Sequence, residues 1–216
     1  MSARQKATRR ERAGEGVQDS ITQHMQPDVP PDIHELLEQF VAVERDAHSL
    51  VAGLTEDQGI RRLTPASWSI SECLDHLAVA NRVYLLAMNE PAHRARSLGQ
   101  LRIRPAKPGL AGRLFVYTLE PPPRWWSKLR APRLIRPRTS PPLADAFAGF
   151  MASQADVRAF STANADLDLA SIRFPNPFVR GIRFSLATGL HVIAAHDRRH
   201  LLQAWGVRSA IGVAPI

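Results

Sequence analysis

The sequence holds a single cysteine, Cys73, among 216 residues. One thiol cannot close an internal disulfide or furnish a cysteine-based zinc site, which agrees with a reducing compartment and leaves packing as the source of stability. No apolar run reaches the roughly 18 residues that a membrane-spanning helix needs. Residues 1–23 are polar throughout and offer no hydrophobic stretch for a signal peptide, so the expected location is the cytosol. Strand alternation is also missing, apart from short pieces at 172–174 and 178–184, and there is no internal repeat. What remains is a chain with 44% hydrophobic and 22% charged residues, too apolar to be disordered and long enough for one sizeable domain plus tails, or two small ones. Residues 1–26 read as a flexible polar tail and 27–216 as the domain.

The net charge of +8 is unevenly spread. Residues 26–90 carry four basic against eleven acidic residues, whereas 91–140 carry twelve against one. The basic stretch is also rich in proline, including the run Pro121 to Pro123, and proline removes amide donors and blocks long helices. Residues 91–139 therefore read as a basic insertion or long crossing link. Its apolar stretch Leu114 to Leu119 and the pair Trp125-Trp126 are expected to pack partly on the body. Clustered positive charge beside aromatics suits nucleic acid, anionic lipid or an acidic small molecule. The simpler reading is a solvated insertion, because only Lys6, Lys107 and Lys128 among the 28 basic residues are lysines and a chain-wide arginine bias can follow coding composition. Nucleic acid is thus not the favoured partner.

Four amphipathic segments stand out. After Pro30-Pro31, the residues Ile33, Leu36, Leu37, Phe40, Val41, Ala47, Leu50, Val51 and Leu54 recur at three- and four-residue spacing, which is one face of a helix. Asp32 with Glu35 resembles a capping box, and Gly53 supplies a stop. Ser69-Ile70-Ser71-Glu72 is a sharper capping box, with Trp68 placed to staple onto the first turn; this second helix is expected to run to about Asn89 and end at Pro91. A third opens after Ser140-Pro141-Pro142 and carries Leu143, Phe147, Phe150, Met151, Val157 and Phe160. The fourth spans about Phe184 to Trp205 and is expected to stop at Gly206. Four such stripes can be buried only against one another, which predicts an all-α, antiparallel four-helix bundle with a long crossover link between the second and third helices.

Of eight histidines, His24, His34, His48 and His93 read as surface residues. His196 and His200 differ, because four residues advance a helix by about 400° and leave both rings on one face, about 6 Å apart along the axis. That face also carries Gly189, Ile193, Gln203 and Ala204, so it can look inward. His76 lies near the buried stripe of the second helix. Two imidazoles at this spacing can grip one metal ion, and equally can be core histidines bonded to backbone or water. Three neutral imidazoles converging in an apolar core need partners, which a divalent metal supplies while keeping a coordination position open. His191 is rotated by about 140° from His196 and reads as packing or surface. Cys73 reads as a small core residue, Glu72 as a cap with an acid-base role as the alternative, and Asp197 as a surface aspartate with orientation of an imidazole as the alternative.

Together, Trp68-Ser69-Ile70 leading to Asp75-His76-Leu77, and the later His196-Asp197-Arg198-Arg199-His200-Leu201-Leu202-Gln203, resemble the DinB-like superfamily, also called YfiT-like metal-dependent hydrolases. The resemblance covers about residues 30 to 212. It implies a four-helix bundle holding a divalent metal ion, nickel, zinc or iron, on three histidines that carry over onto His76, His196 and His200. It further implies a small-molecule substrate, either a low-molecular-weight thiol such as bacillithiol or mycothiol in S-transfer, or a substrate for hydrolysis. Either chemistry uses a metal to lower the pKa of a bound thiol or water. The competing expectations are a non-catalytic bundle that holds metal or a small ligand, and a nucleic-acid contact through the basic link. A homodimer through an apolar outer face or the tryptophan pair stays open. The long basic link and the tail before residue 26 depart from the family pattern.

Overall fold

The computed structural model describes residues 29–122 and 132–214. The tail assigned to residues 1–26 and the Trp125-Trp126 pair lie outside the described residues. The first helix, α1, spans Pro31–Val51 and buries Ile33, Leu36, Phe40, Val43, Ala47 and Leu50, the three-four spacing of a single stripe. Pro31 suits its first position, where the missing amide would be unpaired anyway. Gly53 follows the helix at φ 71°, a left-handed turn that glycine enters without a Cβ penalty. The capping box expected of Asp32 and Glu35 gives way to a tertiary role. The Asp32 carboxylate accepts from the Ala106 amide at 2.6 Å and pairs with Arg102.

A short helix α2 (Glu56–Ile60), capped by Thr55 and Gln58, leads to α3 (Ile70–Ser97). Both halves of the Ser69–Glu72 capping box are present, as its sequence predicts. The end of α3 corrects the expectation that Pro91 stops it. The helix continues to Ser97 because one lost i→i−4 bond is offset by burying Ala92 and Ala95 one turn further on. Helix α4 covers Leu110–Leu119, a 3-10 turn Arg133–Ile135, and α5 Leu143–Ala163. The last helix, α6 (Leu186–Ala210), passes through Gly206 where a stop is expected; burial of Val207 and Arg208 just beyond the glycine carries it on.

Among the described residues the fold is mostly helical, with a small two-stranded sheet. Strands β1 (Arg173–Pro175) and β2 (Arg183–Ser185) pair antiparallel, Phe174 opposite Phe184, and both phenyl rings are buried. Helix α3 packs on α5 and α6, and α1 packs on the same two helices. Leu50, Ile70, Leu74, Leu77, Phe150 and Leu201 meet in the shared core, with the Cys73 thiol fully buried among them.

The link at 91–139 is less of a free loop than its composition predicts. Its first residues complete α3, and α4 lies against α6, where Gly112 faces Thr188 closely enough that a Cβ would sit 2.5 Å from the Thr188 hydroxyl. Arg96, Arg102, Arg104 and Arg138 pair with Asp166, Asp32, Asp168 and Asp75. Four of the twelve basic residues in this segment therefore answer carboxylates elsewhere in the chain, Asp32 and Asp75 among them from the acidic stretch at 26–90.

Candidate metal centre

Helix α3 presents His76 one turn after Glu72 of its capping box, and α6 presents His196 and His200 one turn apart. The three rings meet. Their centroids are separated by 5.0 Å (His76–His196), 4.6 Å (His76–His200) and 4.7 Å (His196–His200), and one ring nitrogen from each lies within 4.8 Å of the others. His76 Nε2 and His196 Nε2 are 3.3 Å apart. Two nitrogens on a tetrahedral ion with bonds of about 2.05 Å are separated by about 3.3 Å, so the spacing fits a shared cation.

Two of the rings have their other nitrogen committed elsewhere. His76 Nδ1 lies 2.5 Å from the Ile135 carbonyl oxygen, and His200 Nδ1 lies 2.9 Å from Gln203 Oε1. Both partners are acceptors, so Nδ1 carries the proton in each ring and Nε2 offers a lone pair. Burial holds all three imidazoles below the ordinary histidine range, His196 well below it with the neighbouring His200, His76 and Arg199 adding to the effect; His200 is lowered to about 3. Neutral rings at pH 7 are the form that binds metal. The donor set therefore fits a divalent ion of borderline softness, the class that imidazole ligands serve.

Several neighbours read differently in space than in sequence. Trp68, placed as a helix staple, lies against two of the rings, 4.7 Å from His76 and 5.7 Å from His200 between centroids. Asp197 is no surface aspartate: it is fully buried, and its Oδ2 accepts from Gln154 Nε2 at 2.7 Å and Asn81 Nδ2 at 3.5 Å. Burial raises its carboxyl to about 7 against the pull of those two amides. Among the described residues its hydrogen bonds go to those two amides and not to an imidazole. Glu72 keeps its capping role and gains an ion pair with Arg62. Burial would raise its carboxyl, but Arg62 and the amides of Ser69 and Ser140 outweigh that and hold it below the usual range. His191 is partly buried and its imidazole is lowered by desolvation, as expected of a packing residue. Ile135 leaves no mark in the sequence, because a backbone carbonyl has no residue type to read; Gln203 is visible one turn after His200 but without a role.

No helix among the described residues is long and apolar enough to cross a membrane. No curated protein and no solved structure matches the chain significantly. A family model for the DinB superfamily matches residues 39–204.

Proposed function

The chain belongs to the DinB superfamily, and from that membership and the donor geometry we propose that it is a metal-dependent enzyme holding a divalent ion on His76, His196 and His200. We read its reaction as thiol S-transfer or hydrolysis on a small molecule, and residues 27–216 as one domain built as an antiparallel four-helix bundle. The observation that carries the reading is the convergence of three neutral imidazoles, two of them with Nδ1 held by acceptors and Nε2 turned to a common point. Three protein ligands leave a coordination position for substrate, whereas a structural site is usually closed by four. A bound ion supplies Lewis acidity there, enough to make a thiolate or hydroxide available near pH 7.

The chain's own residues have separate tasks. Burial keeps the imidazoles unprotonated, Ile135 and Gln203 fix the ring faces, and the indole of Trp68 covers the His76 and His200 rings on one side. Cys73 is not suited to act as a ligand or nucleophile, since burial drives its thiol pKa upward and it packs among core side chains. The ion is nickel, zinc or iron on this reading. Elemental analysis of untagged protein beside the His76→Ala/His196→Ala/His200→Ala variant tests it: near-stoichiometric metal in the first and none in the second is expected, and equal content in both refutes it.

A further inference from the structure

We propose that residues 133–138 of the link form a positioning strap for His76: the clasp between Arg138 and Asp75 holds the Ile135 carbonyl on His76 Nδ1, and so fixes which ring nitrogen faces the metal. The inference rests on the metal reading above and concerns how strongly the ion is held.

A neutral imidazole has two tautomers of similar energy, and only the one protonated at Nδ1 leaves Nε2 free to bind an ion. The carbonyl of Ile135, 2.5 Å from Nδ1, selects that tautomer. It is in place because the strap is anchored at Ile135 itself and just beyond it. The Ile135 side chain is buried, 3% exposed, and the 3-10 turn that carries it runs between Pro132 and Pro137, whose rings restrict the backbone. Three residues on, the Arg138 amide donates to Asp75 Oδ2 at 2.8 Å, while its guanidinium Nε and Nη2 reach Asp75 Oδ1 at 2.9 and 2.8 Å. The Ser140 amide then meets Glu72 Oε1 at 3.5 Å.

Glu72, Asp75 and His76 stand at i, i+3 and i+4 on α3, so one face of that helix receives the whole strap. The arrangement is asymmetric in a useful way. The Asp75 carboxylate is 7% exposed, but the Arg138 side chain is 61% exposed, and an exposed partner adds little to global stability. Removing Arg138 should therefore loosen the strap without unfolding the protein. His200, whose Nδ1 is held by Gln203 from its own helix, does not depend on the strap. The two ligands form a matched pair, one positioned by a distant segment and one locally.

Full-length untagged protein, stripped and titrated with Co(II), provides the test. Co(II) affinity by chelator competition is measured together with the hyperfine-shifted imidazole N–H resonances, for the wild type, Arg138→Ala and Asp75→Asn. Loss of an outer hydrogen-bond partner typically weakens metal binding about 10–100-fold, and that range is expected for Arg138→Ala at an unchanged metal-free melting temperature. The His76 Nδ1 proton should begin to exchange rapidly with solvent while the His200 proton stays protected, a selectivity that a general loosening of the fold does not produce. Asp75→Asn, isosteric and able to accept from the Arg138 amide, should fall between. Wild-type affinity with a protected His76 proton in Arg138→Ala overturns the inference. If that variant melts early, the same result in Asp75→Asn overturns it. A wild type that binds no Co(II) overturns the metal reading itself and the strap with it.

Discussion

Asp197→Asn is the most informative single substitution outside the ligand set. The wild-type carboxyl is fully buried and raised to about 7 from 3.8, so the folded protein binds this proton more tightly than the unfolded chain does. Linkage then makes stability fall as pH rises between those two values: the favourable contribution is complete below about 3.8 and lost as pH climbs through 7. At about 1.4 kcal/mol per pKa unit, the full loss is about 4 kcal/mol, of which roughly 2–3 kcal/mol falls between pH 5 and pH 8. Asparagine removes the charge and keeps an oxygen where Gln154 and Asn81 donate. Its amide would occupy the place of Asp197 Oδ1, which has no donor, in a pocket where Asn81 Oδ1 and Gln154 Oε1 also lack one. Urea unfolding of metal-free protein at several pH values, wild type against variant, isolates this group because the histidine contributions cancel in the difference. The variant should gain on the wild type steadily from pH 5 to 8. A difference that stays flat across that range refutes the assignment of a near-neutral buried carboxyl.

The depressed histidines work in the opposite sense. Their folded pKa values lie below the unfolded value of 6.5, so the metal-free protein should lose stability as pH falls from 6.5 toward 3, and His200→Ala should flatten that limb in the same urea series. Arg208 is fully buried and donates to the carbonyls of Ser49, Leu50 and Ala52 at the end of α1 and to Ala214; Arg208→Met should cost about 3–5 kcal/mol by chemical denaturation, and a loss under 1 kcal/mol would refute that role. Two glycines of α6 should respond oppositely. Gly189→Ala would place a Cβ 2.6 Å from Met88 Sδ and 2.8 Å from the Phe174 ring and should destabilise by about 1–3 kcal/mol, while Gly206→Ala meets nothing and should stabilise by about 0.5–1 kcal/mol. Because Trp68 lies beside two ligand rings, Ni(II) should quench tryptophan fluorescence in the wild type and much less in Trp68→Phe; equal quenching would place the ion elsewhere.

Where one stripe and one cap decide an element, the sequence was enough. Ser69 with Glu72 marks the start of α3 because both halves of that box are local, and the i, i+4 spacing of His196 and His200 survives any tertiary arrangement. Ends are harder, since Pro91 and Gly206 each carry a local cost that burial of Ala92, Ala95 and Val207 overrides, and burial is a property of the partner helix. Asp197 shows the same limit. Flanked by Arg198 and Arg199 it reads as surface, but one helical position fixes its direction, and that direction is toward Asn81 and Gln154 on two other helices.

The charge asymmetry of the chain is the other side of that argument. Counted by segment, twelve basic residues at 91–140 against one acidic look like a footprint for an external polyanion. In the fold, Arg102 reaches Asp32, Arg104 reaches Asp168, Arg96 reaches Asp166 and Arg138 reaches Asp75, so arginine–carboxylate pairs tether the link beside the apolar contacts of α4, Ala106 and Ile135. Arginine suits this better than lysine because its planar fork can take two acceptors at once, as Arg96 does on both oxygens of Asp166. These pairs are screened by salt, whereas the helices they rest on are held by apolar burial. High ionic strength should therefore loosen the Arg138–Asp75 tether before it unfolds the core, and if Ile135 is what orients His76, metal affinity should decline with salt at concentrations where the helical circular dichroism is unchanged. An affinity that falls only together with the helical signal would mean that the ligand rings are set by the helices alone.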